Sequence, residues 1–121
     1  MRKILLVEDE PVLKDAYQII LSTQPYLCDF AENGKEALEM CAAKDYDLVL
    51  LDIMMPVMNG IEFLEKLNDT EYIQSKVIVM SNLSGGKEID RVRELGVQKV
   101  ILKADTSPNQ LISLIRYHFE A

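Results

Sequence analysis

Short unbroken apolar runs alternate along the chain with longer segments in which apolar residues recur at helical spacing. Ile4-Leu5-Leu6-Val7 is apolar and uninterrupted, which predicts a strand. Pro11 suits the first turn of a helix, and Val12, Ala16, Ile19 and Ile20 share one face of it, the stripe an amphipathic helix turns towards a core. Leu27 to Ala31 reads as a second, weaker strand, and Asp29 inside it points to a sheet edge. Asn33-Gly34 reads as a turn, followed by Ala37, Leu38, Cys41 and Ala42 at helical spacing. Leu48-Val49-Leu50-Leu51 predicts a third strand whose continuous apolarity requires burial on both faces. Beyond an irregular stretch from Asp52 to Asn59, Gly60 precedes a short helix marked by Ile61, Leu64 and Leu67. Val77 to Met80 is a fourth strand, Ser81 to Gly86 a loop, and Lys87 to Leu95 a charged helix with Gly96 suited to its C-terminal cap. Val100-Ile101-Leu102 is a fifth strand. Thr106-Ser107-Pro108 reads as the cap and first turn of a last helix that turns Leu111, Leu114 and Ile115 inward.

Five strands and five helices in strict alternation predict an α/β fold, a doubly wound parallel sheet covered on both faces by right-handed crossovers. The expected strand order is 2-1-3-4-5, the common one for five-stranded sheets of this kind. It puts ligands at the carboxyl ends of strands one and three, where the winding reverses. With 121 residues, no linker and no repeat, the expectation is one domain over residues 1–121. Charge narrows the function. The 13 basic and 20 acidic residues leave a net charge of −7, a poor basis for unaided nucleic-acid binding. No apolar run approaches the length of a membrane span. Met1-Arg2-Lys3 is followed only by Ile4 to Val7 before acids begin, unlike a signal peptide, so a cytoplasmic location is expected. Cys28 and Cys41 form neither a disulfide framework nor a metal site, and small core residues are the simpler reading.

The chemistry gathers at strand ends. The first strand runs into Glu8-Asp9-Glu10 and the third into Asp52. If those strands are neighbours, Glu8, Asp9 and Asp52 meet at one rim, where like charges repel unless a cation relieves them. Carboxylate oxygens with water suit Mg²⁺. The fourth strand ends at Ser81, a hydroxyl, and the fifth at Lys103, an ammonium. Each residue alone reads as a turn former or a solvated charge. Together they supply a carboxylate nucleophile, a metal cage, a hydroxyl donor and a point cation, the parts that hold a phosphoryl group in transfer.

On these residues the chain resembles a response-regulator receiver domain along its whole length. The most specific stretch is LVLLDIMMPVMNG, residues 48–60, which resembles the family's phosphoacceptor strand and following loop, with Glu8-Asp9, Ser81 and Lys103 at its other characteristic positions. The resemblance implies a flavodoxin-like fold and a phosphorylation switch of a two-component system rather than an enzyme. Asp52 would accept a phosphoryl group from the phosphohistidine of a sensor histidine kinase or phosphotransfer protein. It also implies Mg²⁺ held by Asp9, Asp52 and the carbonyl of Met54, with Glu8 acting through water. Lys103 would pair with the phosphoryl group or Asp52, and Ser81 would donate to a phosphoryl oxygen.

Several positions depart from the family's pattern. Ala104 follows Lys103 where the family often has proline, Val100 replaces a switch aromatic, Gln98-Lys99 lacks the acids that often precede it, and Asn82 follows the hydroxyl where a small residue is usual. Val100 leads us to expect weak coupling between the acceptor and the last helix. Met54 and Leu83, which cannot orient a water, predict a long-lived phosphorylated state. Two other functions compete with the switch: a pseudo-receiver acting as an interaction module, which Val100 and Ala104 favour, and an aspartyl hydrolase, for which Pro11 stands where a second Asp is needed. Gly85-Gly86-Lys87 lacks the spacing of a phosphate loop, and His118, flanked by Tyr117 and Phe119, reads as helix-end packing.

Overall fold

The computed structural model describes residues 1–53, 58–69, 76–82, 85–97 and 99–120. Met54, Leu83 and Gln98, on which the expectations about a metal-binding carbonyl, water access and the residues before Val100 rest, lie outside them. The strands are β1 (Arg2–Val7), β2 (Tyr26–Ala31), β3 (Leu48–Asp52), β4 (Val77–Ser81) and β5 (Lys99–Leu102). The helices are α1 (Pro11–Ser22), α2 (Gly34–Ala43), α3 (Gly60–Leu67), α4 (Lys87–Glu94) and α5 (Pro108–Glu120), with a 3₁₀ turn at Lys103–Asp105. All four strand pairings are parallel and the order is β2-β1-β3-β4-β5, the doubly wound arrangement expected.

Every residue of β3 and β4 is buried, as the uninterrupted apolar runs require. Because strand side chains alternate, the sheet feeds two cores. Leu5, Val7, Val49, Leu51 and Val79 pack on the side of α2, α3 and α4. Ile4, Leu6, Leu48, Leu50, Ile78 and Met80 pack with Leu21 of α1 and with Leu111 and Ile115 of α5. Val100 packs against the first of these cores. Asp29 does mark an edge strand: its Oδ2 accepts from the Tyr46 hydroxyl at 2.7 Å and from Lys44 Nζ at 3.0 Å. Tyr46, with help from Lys44, holds the Asp29 carboxyl below the usual range.

Two local expectations are corrected. The stripe on α1 faces solvent: Val12 and Ile19 are 72% and 69% exposed and Ala16 is exposed too, while Leu21 is buried and Tyr17 packs on the core. The helix is amphipathic, but the face it turns inward is the one that carries Tyr17 and Leu21. Asn33-Gly34 is not a turn but a helix start. Asn33 is extended, and its Oδ1 accepts from Glu36 N at 2.9 Å. Asn59 caps α3 in the same way, accepting from Glu62 N at 2.9 Å. Ser107 and Gln110 form a reciprocal capping box on α5, with Gln110 N donating to Ser107 Oγ at 3.2 Å and Ser107 N to Gln110 Oε1 at 2.7 Å.

Gly60 fixes where β3 ends. A Cβ there would lie 2.5 Å from Ile53 Cα and 2.9 Å from the Asp52 carbonyl oxygen, both backbone atoms, and Gly60 N donates to Ile53 O at 3.0 Å. The chain doubles back against the end of β3, an approach only glycine permits. Gly60→Ala should therefore destabilise the protein by about 1–3 kcal/mol, the usual cost of overpacking, and should disturb Asp52. Urea unfolding checks the first effect and the Asp52 amide resonance the second. A variant as stable as the parent with an unmoved Asp52 signal would contradict this reading.

Candidate phosphoacceptor and metal site

The register brings the acids together. Val7 is the β1 partner of Leu51, so the residues that follow, Glu8 and Asp52, emerge side by side at the sheet's carboxyl rim. Glu8 N donates to Ala31 O at 3.0 Å, anchoring the β1 exit to β2. Carboxylate oxygens of Glu8, Asp9 and Asp52 all lie within 4.8 Å of one another. Ser81 of β4 is the partner of Leu102, the residue before Lys103, so the hydroxyl and the lysine leave neighbouring strands at the same rim. Ser81 itself is fully buried, and Asn82 after it lines the cleft of about 480 Å³ that contains Glu8, Asp9, Asp52 and Lys103.

Lys103 bridges two acids. Its Nζ lies 2.6 Å from Glu8 Oε1 and donates to Asp52 Oδ2 at 3.1 Å. Burial is deep for charged groups: Glu8 is 1% and Asp52 6% exposed, and the Lys103 side chain is 10% exposed. The contact to Glu8 is short, and among the described residues Glu8 Oε2 is buried without a hydrogen-bond partner. Burial pushes the Glu8 carboxyl up to about 7, with Lys103 pulling it down and Asp52 pushing it further up. For Lys103, burial alone would lower the ammonium, but the Glu8 and Asp52 carboxylates outweigh it and hold it above the ordinary lysine value. The half-buried Tyr17 phenol is raised chiefly by burial, and it feels Lys103, Glu8 and Asp52 as well.

Lys103 therefore pairs with Glu8 and Asp52, while the Asp9 carboxylate lies beside them without an ion pair to it among the described residues. The donors are all hard oxygens, and Asp9 is open to solvent. That set fits a small divalent ion which keeps part of its water, as Mg²⁺ does. The Met54 carbonyl, the fourth expected ligand, lies outside the described residues. The Lys103–Ala104 peptide is trans. Cys28 and Cys41 are free, half-buried and packed on the two cores, and burial raises both thiols, so neither belongs to a reactive site. His118 packs edge-on against Phe119, with ring centroids 5.4 Å apart.

The response regulator receiver domain model matches residues 4–116. The chain belongs to the response regulator receiver family. Among curated relatives, the nitrate/nitrite response regulator NarL of Escherichia coli is 31% identical over 93% of this chain and 52% of its own length. The chemotaxis protein CheY of Halobacterium salinarum is 29% identical over 89% of both chains. This receiver spans about half the length of the first relatives it matches. Among solved structures, a CheY-like receiver from Methanospirillum hungatei superposes with a TM-score of 0.89 at 25% identity, covering 99% of this chain and 94% of the other. TrrA from Thermotoga maritima, solved in complex with Mg²⁺-BeF, gives 0.82 at 29% identity, covering 98% and 99%. The fold and the two-component class expected from sequence hold. Among the described residues, no helix is long and apolar enough to cross a membrane.

Sequence reasoning assigned Glu8, Asp9, Asp52 and Lys103 to the receiver's cleft but gave Glu10 no role there. Glu10 and Leu13 also line it. Both follow the acid pair directly and belong to the start of α1, a signal present in the sequence but obscured by reading Glu10 only as part of an acidic run. Removing the shared cation tests the electrostatics. In metal-free solution Lys103→Met should lower stability by about 3–5 kcal/mol, because it leaves buried carboxylates unpaired. Mg²⁺ should restore more of that stability than it adds to the parent, since only the folded variant offers the uncompensated site. Thermal melts with chelator and with Mg²⁺ check both effects. Equal melting temperatures for parent and variant in chelator would show that Lys103 does not hold the carboxylates together.

Proposed function

We propose that this receiver is the phosphorylation switch of a two-component system and that Asp52 is the acceptor. One observation carries the reading: Lys103 Nζ sits between Glu8 and Asp52, in a cleft that also contains Asp9. In this reading Glu8, Asp9 and Asp52 hold Mg²⁺. When bound, the ion offsets the negative charge of the phosphoryl oxygens. The Asp52 oxygen attacks phosphorus in line with the bond to the donor histidine. As the new O–P bond forms, the N–P bond breaks and its electron pair returns to the imidazole, which takes a proton from solvent. Lys103 can leave one carboxylate partner and follow the charge onto the phosphoryl group, since its ammonium is a mobile point charge. The Ser81 hydroxyl donates to a phosphoryl oxygen once the acceptor is modified. The whole chain of residues 1–121 acts as one receiver domain.

The donor is a sensor histidine kinase or a phosphotransfer protein. Supporting this, a segment of hybrid signal transduction histidine kinase B from Dictyostelium discoideum is 33% identical over 98% of this chain, while the match takes up only 7% of that protein. The switch works in the cytoplasm, with its output read by a protein partner and not by direct contact with nucleic acid, which the net charge of −7 disfavours. A pure interaction module would gain nothing from burying a lysine between two carboxylates, an arrangement whose desolvation costs stability.

Incubation with acetyl phosphate and Mg²⁺ should add one phosphoryl group by intact mass, and chelation should abolish the addition. Asp52→Asn should accept none, because an amide is a poor nucleophile. Labelling of that variant at the parent's rate would overturn the assignment.

A further inference from the structure

Glu10 is a cleft residue for which the phosphoacceptor chemistry has no use. It is exposed, it lines the same cleft as Asp9 and Asp52, and it is held in place from two sides. Its carboxylate accepts from Val12 N at 3.3 Å, capping α1, while its carbonyl accepts from Lys14 N at 2.9 Å. Among the described residues no ion pair involves Glu10. Lys14, the basic side chain on the next turn, lies 3.7 Å from Glu32 instead. A fixed, uncompensated charge therefore stands at the mouth of a cleft whose wall already carries Glu8, Asp9 and Asp52 against Lys103 alone. A capping serine, threonine or asparagine would start α1 as well without adding charge.

We propose that Glu10 is a specificity-determining residue: a fixed negative gate that slows phosphorylation by free, highly anionic phosphate esters and anhydrides. It thereby favours donors whose negative charge is offset where they meet the cleft, such as a phosphohistidine presented on a protein surface whose neighbouring side chains supply positive charge. The inference rests on Asp52 being the phosphoacceptor. A charge fixed within about a Debye length of the reacting group repels an incoming anion in proportion to that anion's charge, and salt screens the effect. Structural damage would show neither dependence.

The test compares two small donors on the full chain at constant saturating Mg²⁺ and low donor concentration. Acetyl phosphate is a dianion at neutral pH, and its P–O bond breaks to release acetate. Phosphoramidate is a monoanion, and its P–N bond breaks to release ammonia. Glu10→Gln removes the charge and keeps an oxygen to cap the helix, and Glu10→Ser keeps a cap by a different side chain. Initial rates by intact mass should rise about sixfold for acetyl phosphate in both variants at low ionic strength, as expected for one charge ~8 Å from a dianion in a water-like dielectric. The rise should be smaller for phosphoramidate, and both gains should vanish at high ionic strength. Unchanged rates, or equal gains for both donors at every salt concentration, would overturn the gate while leaving the acceptor assignment standing. A parent protein that neither donor labels would overturn the acceptor reading, and the gate with it.

Discussion

The site depends on one electrostatic constraint: three carboxylates converge on a rim where, among the described residues, Lys103 is the lysine that meets them. Glu8 and Asp52 are nearly inaccessible to solvent, so water cannot screen their mutual repulsion. Lys103 relieves it from β5, across β4 and β3 from β1. That span makes the pairing a report on the whole sheet, since any slip in strand register would move the ammonium away from at least one acid. The lysine cannot satisfy everything at once. Glu8 Oε2 keeps no partner and the Glu8 carboxyl stays raised to about 7, which leaves the cleft receptive to further positive charge. A site poised in this way differs from a structural salt bridge, where both partners are satisfied and nothing further is gained by binding.

Backbone packing supplies the precision that electrostatics alone lacks. Asp52 ends a strand buried on both faces, and Gly60 presses α3 against the Asp52 carbonyl and the Ile53 Cα. Gly34 makes a second close approach, where a Cβ would stand 2.5 Å from the carbonyl oxygen of Met58, which accepts from Gly34 N at 2.9 Å. Met58 is thus held to the start of α2, and Gly60 at the start of α3 is held to the end of β3. Two glycines at helix N-termini cost helix propensity, and here that cost goes into the fixed placement of the strand end that carries Asp52.

Most of this was legible because the sheet is buried. Residues 48–51 had to be a central strand, since no other element buries four consecutive apolar residues on two faces, and Asp29 had to lie at an edge, where its carboxylate reaches Tyr46 and Lys44. The chemistry was legible because it sits at strand ends, which are the positions a strand pattern locates best. Helix orientation was harder. Val12, Ala16 and Ile19 have the spacing of a core stripe, yet Tyr17 and Leu21 are the side chains of α1 that pack inward. Two apolar faces compete on that helix, and residue spacing carries no information about which of them the sheet can accommodate. Asn33-Gly34 has the composition of a turn, but the glycine is required by the approach of Met58, a contact between distant segments that no local pattern reveals.

The same convergence that supports the proposed acceptor also limits which donors could use it. Every acid added to the rim strengthens the pull on a divalent cation and the push on an incoming phosphate. Glu8, Asp9 and Asp52 are needed for the first effect, so the second comes with them. Glu10 adds to the push from the solvent side, fixed by its own helix cap. A dianion arriving alone meets that field without compensation. A phosphoryl group delivered by a protein arrives with neighbouring side chains, whose charges can be matched to the cleft and whose contacts extend beyond it. In the proposed switch, discrimination between a dedicated donor and small phosphate compounds would follow from charge placement at the cleft mouth, with no change in the residues proposed to perform the transfer.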